Sequence, residues 1–387
     1  MRIFVPAEHH VGEKRVGLVP EAVAKLVKLD HSVEVQTGAG VTANHADTSY
    51  QSAGATVVSD ADSAISAADV VVTVRPLTLA NISKLKQGAV TLSFLSPVNN
   101  VEEIRALSEA KATALSFDLV PRISRAQSMD ALTSQALCSG YRTVLIAAEH
   151  MPTFFPMLMT AAGTIPPAKV LVLGAGVAGL QAMATARRLG AVVSAYDVRS
   201  SSADEVKSMG ATFIDLGLDA LEGAGGYARE MNEDRAKAQQ DALKPYISES
   251  DVVITTAAVP GRKAPLLVTR DMITGMKPGS VLVDLAAETG GNVEGSIAGE
   301  KVSISVSGGD VTLIGCRDVP SQLAVHASKL YAQNAVSLLT LMSSDGQIVP
   351  DESDEVIAGS AVVFQGEVRN ASAREHLGLN PLPEKSE

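Results

Sequence analysis

Three glycines and one acid carry the first chemical signal in this chain: Gly174, Gly176 and Gly179 in VLVLGAGVAGLQAMATARRLGAVVSAYDVR, and Asp197 near the end of that stretch. A GxGxxG turn between an apolar strand and a helix offers an anion unpaired backbone N–H groups and the positive end of the helix dipole. Gly174 allows the tight turn, Gly176 lets the backbone approach a pyrophosphate, and Gly179 lets the helix pack against the sheet, with Val177 and Ala178 opening that helix. Asp197 closes the second apolar strand about twenty residues on, where a carboxylate accepts hydrogen bonds from ribose hydroxyls and repels a 2′-phosphate. The chemistry is binding of a dinucleotide, NAD(H) in preference to NADP(H). Val198 and Arg199 flank the ribose position, and the cation of Arg199 pulls the other way. The competing reading is a glycine turn that merely closes a strand–helix junction. Against it stand the preceding VLVL, the apolar series Val177, Leu180, Met183 and Leu189, and the acid at the expected interval.

A second concentration of polar residues lies in VPRISRAQSMDALTSQALCSGYR, residues 120–142. Ser124 or Ser128 could cap a helix start, and Met129, Leu132 and Ala136 give that helix a buried face. Arg122, Arg125, Gln127 and Asp130 crowd its first turns. One reading is a capped linker helix with a solvated charged face. The other is a polar arch above a nicotinamide ring, placed where two α/β units meet.

Those units are visible as alternating strand and helix patterns. From the front of the chain come IFVP, a helical stretch Glu21 to Leu29, SVEVQ, DVVVTV, AVTLSF and ATALSF, a βαβ series without a glycine fingerprint. This first region is therefore the other wall of a cleft rather than the phosphate site. The second region continues from Pro166 to Cys316 through ATFID, DVVITTA, SVLVDLA and VTLIG and suits a six-stranded nucleotide fold. A helical pattern from Leu323 to Met342 and a terminal hairpin in EVIAGSAVVFQGEV return to the first region. The expected architecture is α/β: two Rossmann-like domains with parallel sheets and a cleft between them, 1–135 plus 325–387 forming one and 136–324 the other. DALEGAGGYAREM is longer than ordinary connections and reads as a lid or as an insertion without function.

Composition narrows the class. At 387 residues the chain exceeds what one core usually serves. A formal charge of −11 argues against general binding to nucleic acid or to an anionic membrane. Cys138 and Cys316 suggest neither a disulfide framework nor a zinc site, and the seven histidines show no ligand spacing. His9 and His10 fall on an expected surface loop. There is no signal-peptide pattern and no uninterrupted apolar run of about twenty residues, so no direct membrane insertion is expected.

The combination of PRISRAQSMDALTSQ, TAAGTIPPAKVLVLGAGVAGLQA, GGYAREM, ITTAAVPGRKAP, MKPGSVLVDLAAETGGN and VGEKRVGLVP closely resembles the soluble NAD(H)-binding component of proton-translocating nicotinamide nucleotide transhydrogenase, with RISRAQSMD its most specific segment. VPAEHHVGEKRVGLVP and the nucleotide motif are shared with alanine dehydrogenase. The resemblance implies Si/Re-specific hydride transfer from NADH bound here to NADP⁺ on a partner polypeptide, coupled to proton movement. It implies that Arg122, Gln127 and Asp130 surround the nicotinamide, with Asp130 able to orient Arg122, and that Gly226 and Tyr227 in GGYA are lid residues. Thr133 stands where the family has Ser, and Ala258, beside Ala257 on the expected adenosine wall, where it has a larger aliphatic residue. The resemblance further implies a homodimer that joins an NADP-binding subunit and a separate membrane subunit, peripheral on the cytoplasmic face. For alanine dehydrogenase the lysine and histidine that handle pyruvate would fall at Arg75 and Ser96, which are poor proton donors. Arg15, the expected carboxylate holder of that family, would then be structural, with Glu8 or Glu13 as its ion-pair partner. A non-enzymatic NAD sensor is the alternative from another class, and it gives the arch residues no task.

Overall fold

The computed structural model describes residues 1–219, 233–258 and 263–382. Contacts divide the chain into two units, Met1–Gln135 with Pro320–Glu387, and Ala136–Val319. The second boundary lies ahead of the 324/325 position read from sequence. Among the described residues no helix is long and apolar enough to cross a membrane.

The first unit is built on an eight-stranded sheet. Its strands β1 (Arg2–Val5), β2 (Ser32–Gln36), β3 (Thr56–Val58), β4 (Val70–Val72), β5 (Val90–Ser93) and β6 (Thr113–Ser116) run parallel in the order β3-β2-β1-β4-β5-β6. β4, β5 and β6 are buried along their whole length, which is why they read as continuous apolar runs rather than alternating ones. β3 is short and half-buried, and no apolar run marks it in the sequence.

The second unit opens with a small ribbon, β7 (Leu158–Thr160) and β8 (Gly163–Ile165). Its main sheet has seven strands. β9 (Lys169–Leu173), β10 (Val192–Tyr196), β11 (Thr212–Phe213), β12 (Val252–Thr255) and β13 (Val281–Asp284) are followed by the antiparallel pair β14 (Lys301–Val306) and β15 (Gly309–Gly315). The order is β11-β10-β9-β12-β13-β15-β14. The six strands expected from sequence are all present, and β14 is an addition: its burial alternates, so KVSISV lacks the apolar run that marks the others.

Both parallel portions reverse direction of growth once, between β1 and β4 in the first unit and between β9 and β12 in the second. Such reversal points splay the connecting loops apart at the carboxyl ends of the strands, where ligands of open α/β sheets bind. The chain finishes in the first unit with a small ribbon, β16 (Ser343–Ser344) and β17 (Gln347–Ile348), and with β18 (Ala361–Phe364) and β19 (Glu367–Val368), which add antiparallel to β6. The expected terminal hairpin is thus β18–β19 alone. EVIAGS forms a helix instead, because the Asp354 carboxylate accepts from the Val356 and Ile357 N–H groups and starts one there.

Candidate functional site: a dinucleotide crevice and a polar arch

In the second unit β9 ends at Leu173 and the chain turns through Gly174, whose φ of +109° belongs to a region that favours glycine. The helix Val177–Arg188 begins immediately, with Gly176 as its N-cap and no side chain capping it. Its first turn therefore keeps donors available for an external acceptor. A Cβ on Gly179 would stand 1.9 Å from the Gly174 carbonyl oxygen, so helix and strand meet closer than any side chain permits. A Cβ on Gly176 would meet nothing within 4 Å. Packing thus explains Gly179 and leaves Gly176 unexplained unless something outside the chain comes close. That is the fit expected for a pyrophosphate.

Asp197 follows β10 and reaches back to this turn. One carboxylate oxygen accepts from the Ala175 N–H at 2.7 Å, and the other from the Arg199 N–H at 2.9 Å. The Arg199 guanidinium closes a two-pronged pair on the same carboxylate at 2.9 and 3.1 Å. The acid and the cation read as opposing influences in the sequence are partners here. Val198 and Ala257 are partly buried against the core, whereas Ala258 is exposed. Gly226 and Tyr227 lie outside the described residues.

Sequence reasoning missed several residues that shape this crevice. The Thr256 hydroxyl donates to the Gly174 carbonyl at 3.2 Å, tying the loop after β12 to the glycine turn. Asp284, fully buried at the end of β13, accepts from the Thr255 hydroxyl at 3.0 Å and from the Ala286, Asn292 and Val293 N–H groups. The Asn292 amide donates to the carbonyls of Ala257 and Pro265 at 2.9 and 2.8 Å. These bonds hold the loops at the carboxyl ends of β12 and β13 in fixed register. Gly140 belongs to the same group: a Cβ there would lie 2.1 Å from the Ala178 carbonyl oxygen, so the helix Ala131–His150 crosses the start of the nucleotide helix at backbone distance. A glycine within a long helix was the available signal.

Exchanging the carboxylate separates its two tasks. Asp197→Ala should weaken NADH at least tenfold, and, with Arg199 released toward a 2′-phosphate, should narrow the gap between NADH and NADPH affinities. Equilibrium titration of both nucleotides measures this. An unchanged ratio would assign ribose selection to another group.

The arch belongs to the first unit. Ser124–Met129 form a 3₁₀ helix and Ala131–His150 an α-helix, with Ala126 and Met129 in the core and Arg122, Gln127 and Ser128 exposed. The cap is neither serine expected from sequence. Asp130 caps the long helix, one oxygen accepting from the Thr133 N–H at 2.9 Å and the other from the Thr133 hydroxyl at 2.6 Å. The hydroxyl at position 133 thus serves the turn that displays Gln127 and Asp130.

At the β1/β4 reversal point the first unit fills its own crevice. Glu13 is buried and takes a two-pronged pair from Arg15 at 2.7 and 2.6 Å. It also accepts from the Arg75 Nε at 2.9 Å and from the Ser321 hydroxyl at 2.6 Å. Burial raises its pKa, but Arg15 and Ser321 outweigh burial and hold it down to about 2. Arg15 therefore pairs with Glu13, the second of the two partners suggested by sequence. Glu8 differs. Burial pushes it up to about 7 although Val74 and Arg75 N–H groups bind its two oxygens at 2.5 and 3.2 Å. The folded protein keeps this proton up to about pH 7, whereas an unfolded chain releases it near 4.5. Stability should therefore fall as pH rises through that window. Glu8→Gln should abolish this part of the slope, seen as a thermal midpoint that falls less than that of the wild type between pH 5 and 7.5. Parallel curves would mean that Glu8 is ionised throughout.

The family model described as "Alanine dehydrogenase/PNT, C-terminal domain" matches residues 143–371, and its N-terminal counterpart matches residues 4–139. The chain belongs to this alanine dehydrogenase/PNT family. Within the family it is 46% identical to an NAD(P) transhydrogenase alpha subunit of Rhodospirillum rubrum, over 95% of this chain and 97% of that one. It is 30% identical to the alanine dehydrogenase of Mycobacterium tuberculosis, over 76% of this chain and 75% of that one. Among solved structures it is similar to a transhydrogenase from Sinorhizobium meliloti, with a TM-score of 0.84 at 43% identity, covering 95% of this chain and all of the other. An L-alanine dehydrogenase gives a TM-score of 0.79 at 25% identity, covering 98% and 99%. The two Rossmann-like sheets are thus the fold of the family's N- and C-terminal domains.

Proposed function

We infer that this chain is the NAD(H)-binding component of a proton-translocating transhydrogenase, passing hydride directly between NADH and NADP⁺ held on a partner subunit. The observation that carries the reading is identity of 46% along nearly the whole length of a transhydrogenase alpha subunit, against 30% for alanine dehydrogenase. The ion cluster agrees with it. A 2-oxo acid substrate needs a free cation for its carboxylate, and Arg15 and Arg75 both face Glu13.

Bound NADH supplies the hydride, so no general acid or base is needed, and the protein's work is positioning and exclusion of water. The glycine turn and Asp197 hold the adenosine side. Arg122, Gln127 and Asp130 orient the nicotinamide and its carboxamide, Gln127 reaching toward the second nucleotide, and Gly226 and Tyr227 close over the bound nucleotide. The chain works as a homodimer with an NADP-binding subunit and a separate membrane subunit that couples transfer to proton movement, peripheral on the cytoplasmic face.

Mixing purified chain and NADH with an isolated NADP⁺-loaded transhydrogenase domain tests this, with NAD⁺ plus alanine as the parallel assay. NADPH formation without alanine oxidation is expected. Alanine oxidation would establish the dehydrogenase instead, and NADH binding with neither reaction would favour a sensor.

A further inference from the structure

The polar arch and the ion cluster of the first unit are joined by one hydrogen-bonded chain, and Asn334 is its middle link. Its amide nitrogen donates to the Ser128 carbonyl at 2.8 Å, between Gln127 and Asp130 of the arch. Its amide oxygen accepts from the Ser134 hydroxyl at 2.8 Å, in the first turn of the helix that Asp130 caps. The Ser134 hydroxyl accepts from the Gln135 amide at 3.1 Å, and the Gln135 oxygen accepts from Arg15 at 2.8 Å, the guanidinium that Glu13 fixes. Asn334 is 7% exposed and sits on the helix Ala324–Met342, which packs in the same core as Ala126 and Met129. On the outer side Arg125 makes a two-pronged pair with Asp354 at 2.8 Å. That pair is exposed and weak by comparison. A 3₁₀ segment has poor internal hydrogen-bond geometry, so the bonds it receives from outside determine its shape.

We propose that Asn334 is a positioning residue for hydride transfer: by holding Ser128 and Ser134 together it fixes the direction in which Gln127 and Asp130 present themselves. The inference rests on the transhydrogenase reading above. Only an amide can donate to a carbonyl and accept from a hydroxyl at the same time in this geometry without a charge. Its loss costs orientation at the nicotinamide rather than contacts to the dinucleotide, so transfer suffers more than affinity.

Asn334→Leu keeps the side-chain volume and removes both bonds, and Asn334→Asp keeps the acceptor and restores the donor only when protonated. Each is compared with the wild type by single-turnover transfer to an NADP⁺-loaded partner domain and by NADH titration on the nucleotide's own emission, which no Trp obscures in this chain. Asn334→Leu should transfer at least tenfold more slowly, with NADH affinity within about threefold of the wild type. Asn334→Asp should outpace Asn334→Leu at pH 6, a recovery that lost packing would not produce. Should Asn334→Leu fail to fold, Ser134→Ala, which removes one of the two bonds, should slow transfer several-fold at unchanged affinity. Wild-type rates in the Leu or Ser134→Ala variant, equal losses of rate and affinity, or an Asp variant no faster than Leu at pH 6 would overturn the proposal. A wild-type chain that transfers no hydride overturns the transhydrogenase reading and this one with it, whereas active wild type with unimpaired variants overturns this one alone.

Discussion

Gly176→Ala should weaken NADH binding at least tenfold and leave the thermal midpoint unchanged, whereas Gly179→Ala should lower both. The contrast follows from the space around each glycine. At Gly176 φ is −75° and a Cβ would meet nothing within 4 Å, so alanine fits the folded chain without strain. The added methyl occupies only the volume that a pyrophosphate needs. At Gly179 the same methyl would fall 1.9 Å from the Gly174 oxygen, and helix and strand must separate. Overpacking of this kind costs about 1–3 kcal/mol, roughly 2–10 °C for a domain of this size, and it moves the phosphate-binding turn as well. Nucleotide titration and differential scanning calorimetry read the two effects separately. Normal NADH binding by Gly176→Ala would reduce the glycine motif to a structural turn.

Arg122→Ala and Gln127→Asn should each slow hydride transfer more than tenfold while changing NADH affinity only slightly. Both side chains are exposed on a short segment whose apolar residues, Ala126 and Met129, anchor it in the core, so neither substitution threatens the fold. Their proposed contacts are to the nicotinamide, whereas most binding energy comes from the adenosine and pyrophosphate side. Interactions that sharpen in the transition state appear in the rate and not in the affinity. Single-turnover transfer set beside equilibrium binding makes the distinction, and equal losses in both would withdraw the arch from the chemistry.

The nucleotide crevice is legible in the sequence because its signals are local: an apolar strand, three glycines, a helical series and an acid within thirty residues, 170–199. The same holds for most strands, which are buried on both faces and read as apolar runs. β14 escapes because its solvent-facing alternation resembles an ordinary polar stretch. Only half of the terminal hairpin is a hairpin, since Asp354 turns the preceding residues into a helix whose apolar pattern also suits a strand. In the arch two serines offer themselves as caps, but the 3₁₀ turn moves the helix start to Asp130. What no sequence pattern could reveal are the bonds between residues far apart in the chain: Glu13 with Ser321, Ser134 with Asn334, and Gly140 against Ala178. Those depend on how finished elements pack.

The central claim is direct hydride transfer between two nicotinamide rings, and one isotope experiment tests it most closely. NADH carrying deuterium at the transferable C4 position is bound to this chain and mixed with an NADP⁺-loaded partner domain in ordinary water. The account predicts that the deuterium is recovered in the NADPH formed, with a primary isotope effect on the single-turnover rate and none released to solvent. Deuterium lost to water, or NADH bound with no label transferred, would contradict it.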